Sequence, residues 1–397
     1  MDDWRGEFPI FKKHPELVYL DSAATTHKPK SVLEALLKFY AEDYATVHRA
    51  IYRSSLAASD QYNETRETVR RFLNAARAEE IVFTRGTTEA LNLVALSYGK
   101  THLRPGDEIL VSEMEHHSNL VPWQMLAEQT GATLRWMPMR LDGTVDFSGI
   151  GPRTKLVAIA HVSNVTGTIH PIAEVAKAAH KVGALLVVDG AQAAPHIAID
   201  VQALGCDFYA FSGHKCYGPT GVGVLYGRQE LLASMPPLEG GGDMIEKVTL
   251  EKTTYAPPPL RFEAGTPIIA SVIALKSALE FIEERRSALE VHEDQLLALL
   301  EAGLRTIPNL HILGSPPERG PVVTFTIDRV HPLDLATLLD LEHMAIRTGH
   351  LCAQPALRKF GLNSAARASL GAYNTSLDIE RFIDALKRAT QKLTRSQ

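Results

Sequence analysis

Residues 184–192 read Ala-Leu-Leu-Val-Val-Asp-Gly-Ala-Gln. The first five are apolar and two of them are β-branched, which predicts a buried strand over residues 184–189. A predicted helix, 173–182, precedes this strand, and another predicted strand, 155–162, precedes that helix. Short apolar strands that alternate with helices are typical of a mostly parallel sheet covered on both faces. Asp189 then ends a strand at the edge of the sheet where ligands collect.

The same alternation continues on both sides of this stretch. Further strands are predicted at residues 80–85, 107–112, 206–212 and 222–226, with a helix at 87–98. From Pro267 the apolar spacing becomes helical, and the charged run 283–286 predicts a linker or hinge. Beyond it we expect helix 290–302, strand 322–327, helix 333–341, strand 344–348 and a closing amphipathic helix. The sequence therefore predicts an α/β fold: a large domain with a mostly parallel sheet, and a smaller α+β domain.

Size, composition and charge exclude several classes of protein. Of the 397 residues, 45% are hydrophobic and 22% charged, and the formal net charge is −5, so general disorder and a nucleic-acid partner are not expected. No apolar window is long enough to span a membrane, and the acidic N-terminus does not resemble a signal peptide. The three cysteines at positions 206, 216 and 352 do not form a disulfide or zinc pattern, so we expect a cytoplasmic protein.

Ser212-Gly213-His214-Lys215 follows a predicted strand and is the central chemical feature. A lysine at a strand end suits a Schiff base with an aldehyde cofactor, because desolvation would lower its pKa and make the amine nucleophilic. Taken alone, an exposed loop lysine is the better interpretation. Asp189, which lies 26 residues earlier, changes that balance. Its carboxylate could pair with a protonated pyridine nitrogen, although a simple turn residue before Gly190 is the alternative.

Arg85-Gly86-Thr87-Thr88-Glu89 joins a predicted strand to a predicted helix. Because Gly86 has no side chain, a ligand can approach the backbone closely. The free N–H groups of a helix N-terminus, together with the hydroxyls of Thr87 or Thr88, could then bind a phosphate. Simple helix capping is the alternative. A phosphate cradle, a pyridinium partner and a Schiff-base lysine, in this order and each at a strand end, together predict a pyridoxal 5'-phosphate (PLP) site.

With these features in place, the chain resembles the group II (SufS-type) cysteine desulfurases of the PLP-dependent class V aminotransferase superfamily, which have fold type I. The resemblance runs nearly end to end and is specific because its motifs occur in order. They are YLDSAAT (19–25), VHR (47–49), RGTTE (85–89), EHHSN (115–119), VSN (162–164), DGAQ (189–192), SGHK (212–215), RFEAGTP (261–267), RTGHLCA (347–353) and RASL (367–370). The implied domains are a PLP-binding large domain, 15–284, and a small domain, 1–14 with 285–397, that carries the catalytic cysteine loop.

The resemblance also implies roles for individual residues. Lys215 would hold PLP as a Schiff base, Asp189 would pair with the pyridine nitrogen, Gln192 would bond the ring hydroxyl and His116 would stack on the ring and act as acid or base. The phosphate would be bound by Thr87, Thr88, Ser212 and His214, with Thr266 reaching in from the neighbouring subunit of a homodimer. Arg367 would hold the substrate carboxylate, and Asn164, His48, Arg49 and Arg347 would line the same pocket.

Cys352 lies between Gly349 and Pro355, which places it on a loop. Positive charge from His350 and Arg347 would favour its thiolate. By composition alone a buried inert cysteine is the better interpretation, whereas the resemblance makes Cys352 the catalytic thiol and gives Cys206 and Cys216 structural roles. The chain departs from the family pattern at three positions. Leu351 stands where many relatives have histidine, and Ala50 and Tyr52 replace the usual glycine and histidine.

The implied reaction converts L-cysteine to L-alanine and leaves a persulfide on Cys352. A SufE- or SufU-like acceptor protein would then carry the sulfur toward iron–sulfur cluster assembly. Selenocysteine lyase activity on the same site is the nearest alternative. Kynureninase or aminotransferase activity is more distant, since neither needs a loop thiol, and the intact residue set argues against a non-catalytic scaffold. A nucleotide-binding protein is not expected, because no dinucleotide or Walker motif is present.

Overall fold

A computed structural model of the chain describes residues 4–48 and 50–395. Its helices are α1 (Pro9–Lys13), α2 (Lys30–Lys38), α3 (Arg53–Phe72), α4 (Thr87–Leu93), α5 (Lys100–His102), α6 (Val121–Thr130), α7 (Ile172–Lys181), α8 (Val201–Leu204), α9 (Gln229–Ser234), α10 (Ile269–Arg305), α11 (Pro332–Asp340), α12 (Gln354–Lys359) and α13 (Ser376–Arg395). A π-helical turn, Val94–Gly99, joins α4 to α5. None of these helices is both long and apolar enough to cross a membrane.

The strands form two main sheets and two short pairs. They are β1 (Val18–Tyr19), β2 (Ile81–Thr84), β3 (Glu108–Ser112), β4 (Thr133–Met137), β5 (Thr154–Ala160), β6 (Leu185–Asp189), β7 (Phe208–Ser212), β8 (Gly223–Gly227), β9 (Ile245–Val248), β10 (Thr253–Tyr255), β11 (Leu310–Ile312), β12 (Val322–Ile327), β13 (Met344–Ala345), β14 (Arg347–Gly349) and β15 (Ala365–Ser369).

The large sheet has seven strands in the order β2-β8-β7-β6-β5-β3-β4. Every neighbouring pair from β7 to β4 is parallel, and only β8 runs antiparallel to its two neighbours. Leu186 and Val188 enter one hydrophobic cluster while Val187 enters another, which is the period-two alternation of a strand covered on both faces. The predicted mostly parallel α/β sheet is confirmed.

This topology brings three strand ends to one edge of the sheet. β6 ends at Asp189 and β7 ends at Ser212. Gly223 at the start of β8 pairs with both Ser212 and Thr84, so β2 ends at the same edge. A Cβ on Gly223 would lie 2.4 Å from the Cα of Gly86, so only glycine allows the loop after β2 to pack this closely on the sheet.

Helix α10 is continuous through the charged run 283–286, so the predicted linker or hinge at this position is wrong. Ile282 and Leu289 are both buried, and they lie seven residues apart on one helical face. The charged side chains between these two residues make polar contacts instead. Arg285 contacts the carboxylate of Glu7 at 3.3 Å, and Arg286 donates to the carbonyl of Ile197 at 2.7 Å. The charged run is thus one polar turn of a 37-residue helix, and the predicted domain boundary at 284/285 falls within it.

A second, antiparallel sheet has the order β11-β12-β15-β14 and its own hydrophobic cluster. The predicted strand 344–348 is divided between two partners. Its first part, β13, pairs in parallel with β1 near the N-terminus, and its second part, β14, joins this sheet. The assignment of residues 1–14 and 285–397 to a small domain stays a prediction.

Candidate active site

A cavity of about 330 Å³ opens where the carboxyl edge of the large sheet faces β14 and β15. Most of the predicted site residues line it: Thr87, Thr88, His116, Asn164, Asp189, Gln192, Ser212, His214, Lys215, Arg347, Cys352 and Arg367. The lining does not include Thr266, which is exposed, or His48, whose ring packs edge-on against Tyr62. Arg49 lies outside the described residues. One cavity therefore combines three kinds of group: an amine, a thiol and several acid–base or charged side chains.

Lys215 ends the short helical turn Gly213–Lys215 that follows β7, as the motif predicts. Burial lowers the pKa of its amine, and attraction to Asp189 partly offsets this effect. A lower pKa makes the neutral, nucleophilic amine more accessible near neutral pH. Among the neighbouring groups, Asp189 makes the largest contribution in favour of the protonated form of Lys215.

The backbone next to Lys215 is held by donors from residues 25–28. The carbonyl oxygen of His214 accepts the backbone N–H of Thr26 at 3.0 Å and the Thr26 hydroxyl at 3.0 Å. It also accepts the Thr25 hydroxyl at 3.2 Å and the Lys28 ammonium at 3.2 Å. Four donors on one carbonyl fix the peptide that precedes the lysine, so the direction of the Lys215 side chain is set by the N-terminal segment.

Asp189 is 5% exposed and ends β6. Its Oδ1 accepts the backbone N–H of Ala191 at 2.9 Å. Burial raises the pKa of the carboxyl, because the charged form loses water, while the Ala191 amide and Lys215 act in the opposite direction. Gln192 is fixed nearby by donating its amide to the carbonyl of Ala23 at 2.7 Å. A cationic partner in the cavity would favour the ionised form of Asp189.

Hydroxyl groups surround the N-terminus of α4. The backbone N–H of Thr87 donates to the Ser212 hydroxyl at 2.8 Å, and the two hydroxyls of this pair lie 2.7 Å apart. The Thr88 hydroxyl lies 2.8 Å from that of Ser118. Because α4 continues through the π-helical turn to His102, its first N–H groups carry the dipole of a longer helix. These hydroxyls and N–H groups suit a phosphate.

His116 is neutral in this site. Burial, with a smaller contribution from the nearby Lys215, lowers the pKa of its imidazole to about 3. Its Nδ1 accepts the backbone N–H of Ser118 at 3.1 Å, so the ring proton is assigned to Nε2. The loop before it is anchored by Glu115, whose carboxyl oxygens accept Ala160 N–H at 3.0 Å and the Asn119 amide at 2.5 Å. His116 can therefore donate one hydrogen bond from Nε2.

Arg367 on β15 is buried, and two of its nitrogens are occupied. Nη1 donates to the carbonyl of Asn164 at 3.0 Å and Nη2 donates to Asp21 Oδ1 at 3.1 Å. Its Nε is buried without a hydrogen-bond partner among the described residues. A buried guanidinium N–H without an acceptor is costly, and a carboxylate is the acceptor that fits it best.

Cys352 is half-buried on the loop that the sequence predicts. Leu351 and Cys352 adopt left-handed φ angles of 52° and 54°, which are rare for residues other than glycine. The surroundings hold this conformation: the Asn164 amide donates to the carbonyl of Leu351 at 2.7 Å, and His117 N–H donates to that of Cys352 at 2.7 Å. The Cys352 N–H donates to Nδ1 of His350 at 3.0 Å. A strained loop held by its neighbours presents the thiol at the cavity wall.

The other two thiols are buried in the hydrophobic core. Burial raises the pKa of the Cys216 thiol to about 12, and the pKa of Cys206 rises still further. Both are therefore protonated and inaccessible at neutral pH. Among the three cysteines, Cys352 alone lines the cavity.

Three further residues support the site, and the sequence motifs that contain them do not reveal their roles. Asp21 pairs with Arg367, Ser118 meets the Thr88 hydroxyl, and Glu115 anchors the His116 loop. Burial raises the pKa of Glu115 to about 8, which is far above that of an exposed glutamate. The signal for Asp21 and Glu115 was a charged residue beside an apolar strand or turn, and only the tertiary contacts reveal the partner of each.

The aminotransferase class-V family model matches residues 18–382 of the chain. The chain belongs to this family. Class V aminotransferases and the cysteine desulfurases among them depend on PLP, and the predicted family, fold and cofactor class are confirmed. The lysine, aspartate and hydroxyl groups described above are those that this cofactor class requires.

The family relatives are cysteine desulfurases by name. One from Dickeya dadantii (strain 3937) is 49% identical over 397 residues, covering 98% of this chain and 96% of that protein. A probable cysteine desulfurase from Halalkalibacterium halodurans is 49% identical over 392 residues, covering 97% of this chain and 96% of that protein. Among solved structures, the apo cysteine desulfurase from Thermococcus onnurineus NA1 superposes with a TM-score of 0.94 at 38% identity over 99% of each chain. The S-sulfonic acid form of the cysteine desulfurase CsdA from Escherichia coli superposes with a TM-score of 0.91 at 40% identity over 98% of each chain.

Proposed function

We propose that this chain is a group II, PLP-dependent cysteine desulfurase that converts L-cysteine to L-alanine and receives the sulfur on Cys352. The observation that carries the proposal is the meeting of Lys215, Arg367 and Cys352 in one cavity. An amine for the cofactor, a guanidinium for a carboxylate and a thiol for sulfur are the three groups that this reaction needs. The full-length similarity to cysteine desulfurases supports the same assignment.

The residues of the cavity fit PLP. A buried carboxyl, Asp189, accepts one backbone N–H, and its remaining acceptor capacity suits a pyridinium N–H. The hydroxyls of Thr87, Thr88 and Ser212 and the glycine contact between Gly86 and Gly223 form a cradle at a helix N-terminus. These groups would hold the ring nitrogen and the phosphate, and Lys215 would hold the aldehyde carbon covalently.

PLP, when bound, supplies an electron sink that withdraws electron density from the substrate Cα. Arg367 orients L-cysteine through its carboxylate, using the Nε that has no hydrogen-bond partner among the described residues. The neutral amine of Lys215, favoured by burial, accepts the Cα proton. Asp189 would stabilise positive charge at the ring nitrogen of the bound cofactor, and His116 can donate one hydrogen bond from Nε2.

The Cys352 thiolate attacks the sulfur of the substrate. A sulfur–sulfur bond forms to Cys352, the carbon–sulfur bond breaks, and its electron pair stays with the carbon skeleton, which gains protons to become alanine. The sum is L-cysteine plus enzyme thiol giving L-alanine plus enzyme persulfide, so no external oxidant or reductant is required. A thiol acceptor then returns Cys352 to its starting form.

The experiment measures L-alanine released from L-cysteine by the PLP-loaded protein in the presence of reductant. Wild type and Cys206→Ala should release alanine, and Cys352→Ala should release almost none, since Cys206 is buried away from the cavity. Equal release by Cys352→Ala would disprove the role of this thiol. A parallel assay with L-selenocysteine measures the selenocysteine lyase alternative.

The proposed enzyme is a homodimer with shared active sites. Large apolar side chains are exposed from the last turn of α2 to the residue before α3: Leu37 at 69%, Tyr40 at 61%, Tyr44 at 63%, Ile51 at 91% and Tyr52 at 53%. Such a patch favours burial against a second copy. Thr266 is exposed and does not line its own cavity, which agrees with a contribution to the partner's phosphate site.

Mixing Lys215→Ala with Thr266→Val tests this arrangement. Mixed dimers would contain one site with both residues intact, so activity should reappear on mixing, and light scattering should give the mass of a dimer. A monomeric mass would contradict the proposal. We also propose a cytoplasmic location and transfer of the persulfide sulfur to a SufE- or SufU-like acceptor, since Cys352 is accessible enough for a partner thiol to reach it.

A further inference from the structure

We propose that His117, His350 and Cys352 form a binding site for a thiophilic divalent cation, with Zn²⁺ as the fitting ion. One donor atom from each residue lies within 4.8 Å of the other two. The residues come from two different loops, so sequence spacing does not show the cluster. The site is distinct from the PLP pocket, because neither His117 nor His350 lines the cavity and only Cys352 belongs to both.

The donor set selects the type of metal. Two imidazoles and a thiolate are preferred by Zn²⁺ and related soft ions, whereas Mg²⁺ and Ca²⁺ require oxygen ligands. With bonds of roughly 2.0 to 2.3 Å in a tetrahedral arrangement, the donors must lie about 3.5 Å apart. The three donor atoms must therefore approach one another by about 1 Å. Side-chain rotation can achieve this, because His350 is exposed and can turn. A fourth position remains open for water or an external thiol.

The two loops are already joined where the cation would lie. The His117 N–H donates to the Cys352 carbonyl at 2.7 Å, and Nε2 of His117 accepts the N–H of Gln354 at 3.3 Å. The Cys352 thiol lies at this junction, since its sulfur is within 4.8 Å of a ring nitrogen of each histidine. Little backbone rearrangement is therefore needed to bring the donors together.

Binding replaces existing weak contacts. Nδ1 of His350 accepts the Cys352 amide at 3.0 Å and Nε2 of His117 accepts the Gln354 amide at 3.3 Å, so a cation takes these lone pairs or the rings turn to offer the other nitrogen. The thiol proton is released to solvent when the metal–sulfur bond forms, and no oxidation or reduction occurs. Because the same sulfur would attack the substrate, an occupied site prevents turnover until the metal is removed.

The first test uses the PLP-loaded protein in buffer with a non-thiol reductant. Alkylation of Cys352 by iodoacetamide is followed by mass spectrometry with ZnCl₂ or MgCl₂. We expect ZnCl₂ to slow the alkylation about tenfold or more and MgCl₂ to have no effect. Zn²⁺ affinity is measured by competition with a chromophoric chelator, and about one ion should bind per chain. Equal alkylation with and without Zn²⁺ would overturn the proposal.

Variants then identify the ligands. His350→Ala removes an exposed side chain, so it should fold normally and lose about tenfold or more in Zn²⁺ affinity. His117→Ala should lose affinity similarly, whereas the control His14→Ala, whose side chain is half-exposed, should retain it. X-ray absorption should report two nitrogen ligands and one sulfur ligand. Binding that persists unchanged in Cys352→Ala is adventitious surface binding and refutes the site. None of these readouts depends on desulfurase turnover, so failure of the proposed function would leave them interpretable.

Discussion

Arg347 and Arg367 are direct cross-strand partners on β14 and β15. Like charges in directly opposite positions of an antiparallel pair destabilise a sheet. Burial lowers the pKa of Arg367, and the charge of Arg347 acts in the same direction. Asp21 compensates part of this charge through its 3.1 Å contact with Arg367. The pair therefore attracts a further anion into the cavity, and the carboxylate of an amino-acid substrate is the anion that the proposed reaction provides.

Substitution of Arg367 by lysine should weaken substrate binding more than catalysis. A lysine cannot make the bidentate contact, so we expect KM for L-cysteine to rise about tenfold or more. kcat should fall less, because Lys215 and Cys352 are unchanged. Steady-state kinetics with Arg388→Lys as an exposed control measures this effect. An unchanged KM would show that another group binds the carboxylate.

Gly223→Ala should reduce retention of PLP. Its new Cβ would lie 2.4 Å from the Cα of Gly86, and the backbone of the phosphate loop must move to admit it. Gly240→Ala is the matched control, since its Cβ would meet nothing within 4 Å. Released cofactor after gel filtration is measured by its absorbance. Full retention by Gly223→Ala would mean that the loop does not bind the phosphate.

Lys28→Met should lower kcat with only a modest loss of stability. It removes one of the donors on the His214 carbonyl, which costs about 1 kcal/mol of unfolding free energy. Because that carbonyl precedes Lys215, misplacement of the amine should slow turnover about tenfold. Lys28→Arg should recover part of the rate by restoring a cationic donor, and exposed Lys12→Met should change neither quantity. Equal losses of rate in Lys28→Met and Lys28→Arg would exclude this positioning role.

Lowering the pH should destabilise the fold already between pH 6.5 and 4, because three buried histidines resist protonation there. Burial lowers the pKa values of His27, His161 and His170 to about 4, whereas an unfolded chain has histidine pKa values near 6.5. Below pH 6.5 the unfolded chain binds protons that the folded chain does not, so the free energy of unfolding decreases as pH falls from 6.5 toward 4. The slope is about 1.4 kcal/mol per pH unit for each histidine.

His27→Phe isolates one of these groups. Within the part of the chain that the structure describes, its buried Nε2 has no hydrogen-bond partner. Its ring packs among Phe11, Tyr19 and Tyr373, so phenylalanine should be accommodated. Between pH 7 and 5 the variant should lose about 1 to 2 kcal/mol less stability than the wild type in urea unfolding. The control His14→Gln, at a half-exposed side chain, should follow the wild-type curve. Parallel curves for His27→Phe and wild type would show that His27 is protonated in the folded chain.

The sequence predicted the large sheet and the position of its ligand edge, because strand ends such as Asp189 and Ser212 are marked locally by apolar runs followed by Gly-containing turns. It did not predict the continuity of α10. Four consecutive charges resemble a boundary, and only the contacts of Arg285 and Arg286 reveal that they lie on the helix. Likewise, the roles of Asp21 and Glu115 depend on contacts with residues that are distant in sequence, such as Arg367 and Ala160. A local sequence pattern does not contain such contacts.

Helix α10 also determines how the molecule should unfold. Leu289 belongs to the hydrophobic cluster of the large sheet and Leu296 belongs to that of the four-stranded sheet, within the same helix. Unfolding of either hydrophobic cluster would expose apolar side chains of α10 and destabilise the helix on which the other cluster packs. The two clusters therefore depend on each other. Denaturation should consequently be one cooperative transition by every spectroscopic probe. A fragment that ends near residue 284 would retain only the first part of this helix and should be poorly folded.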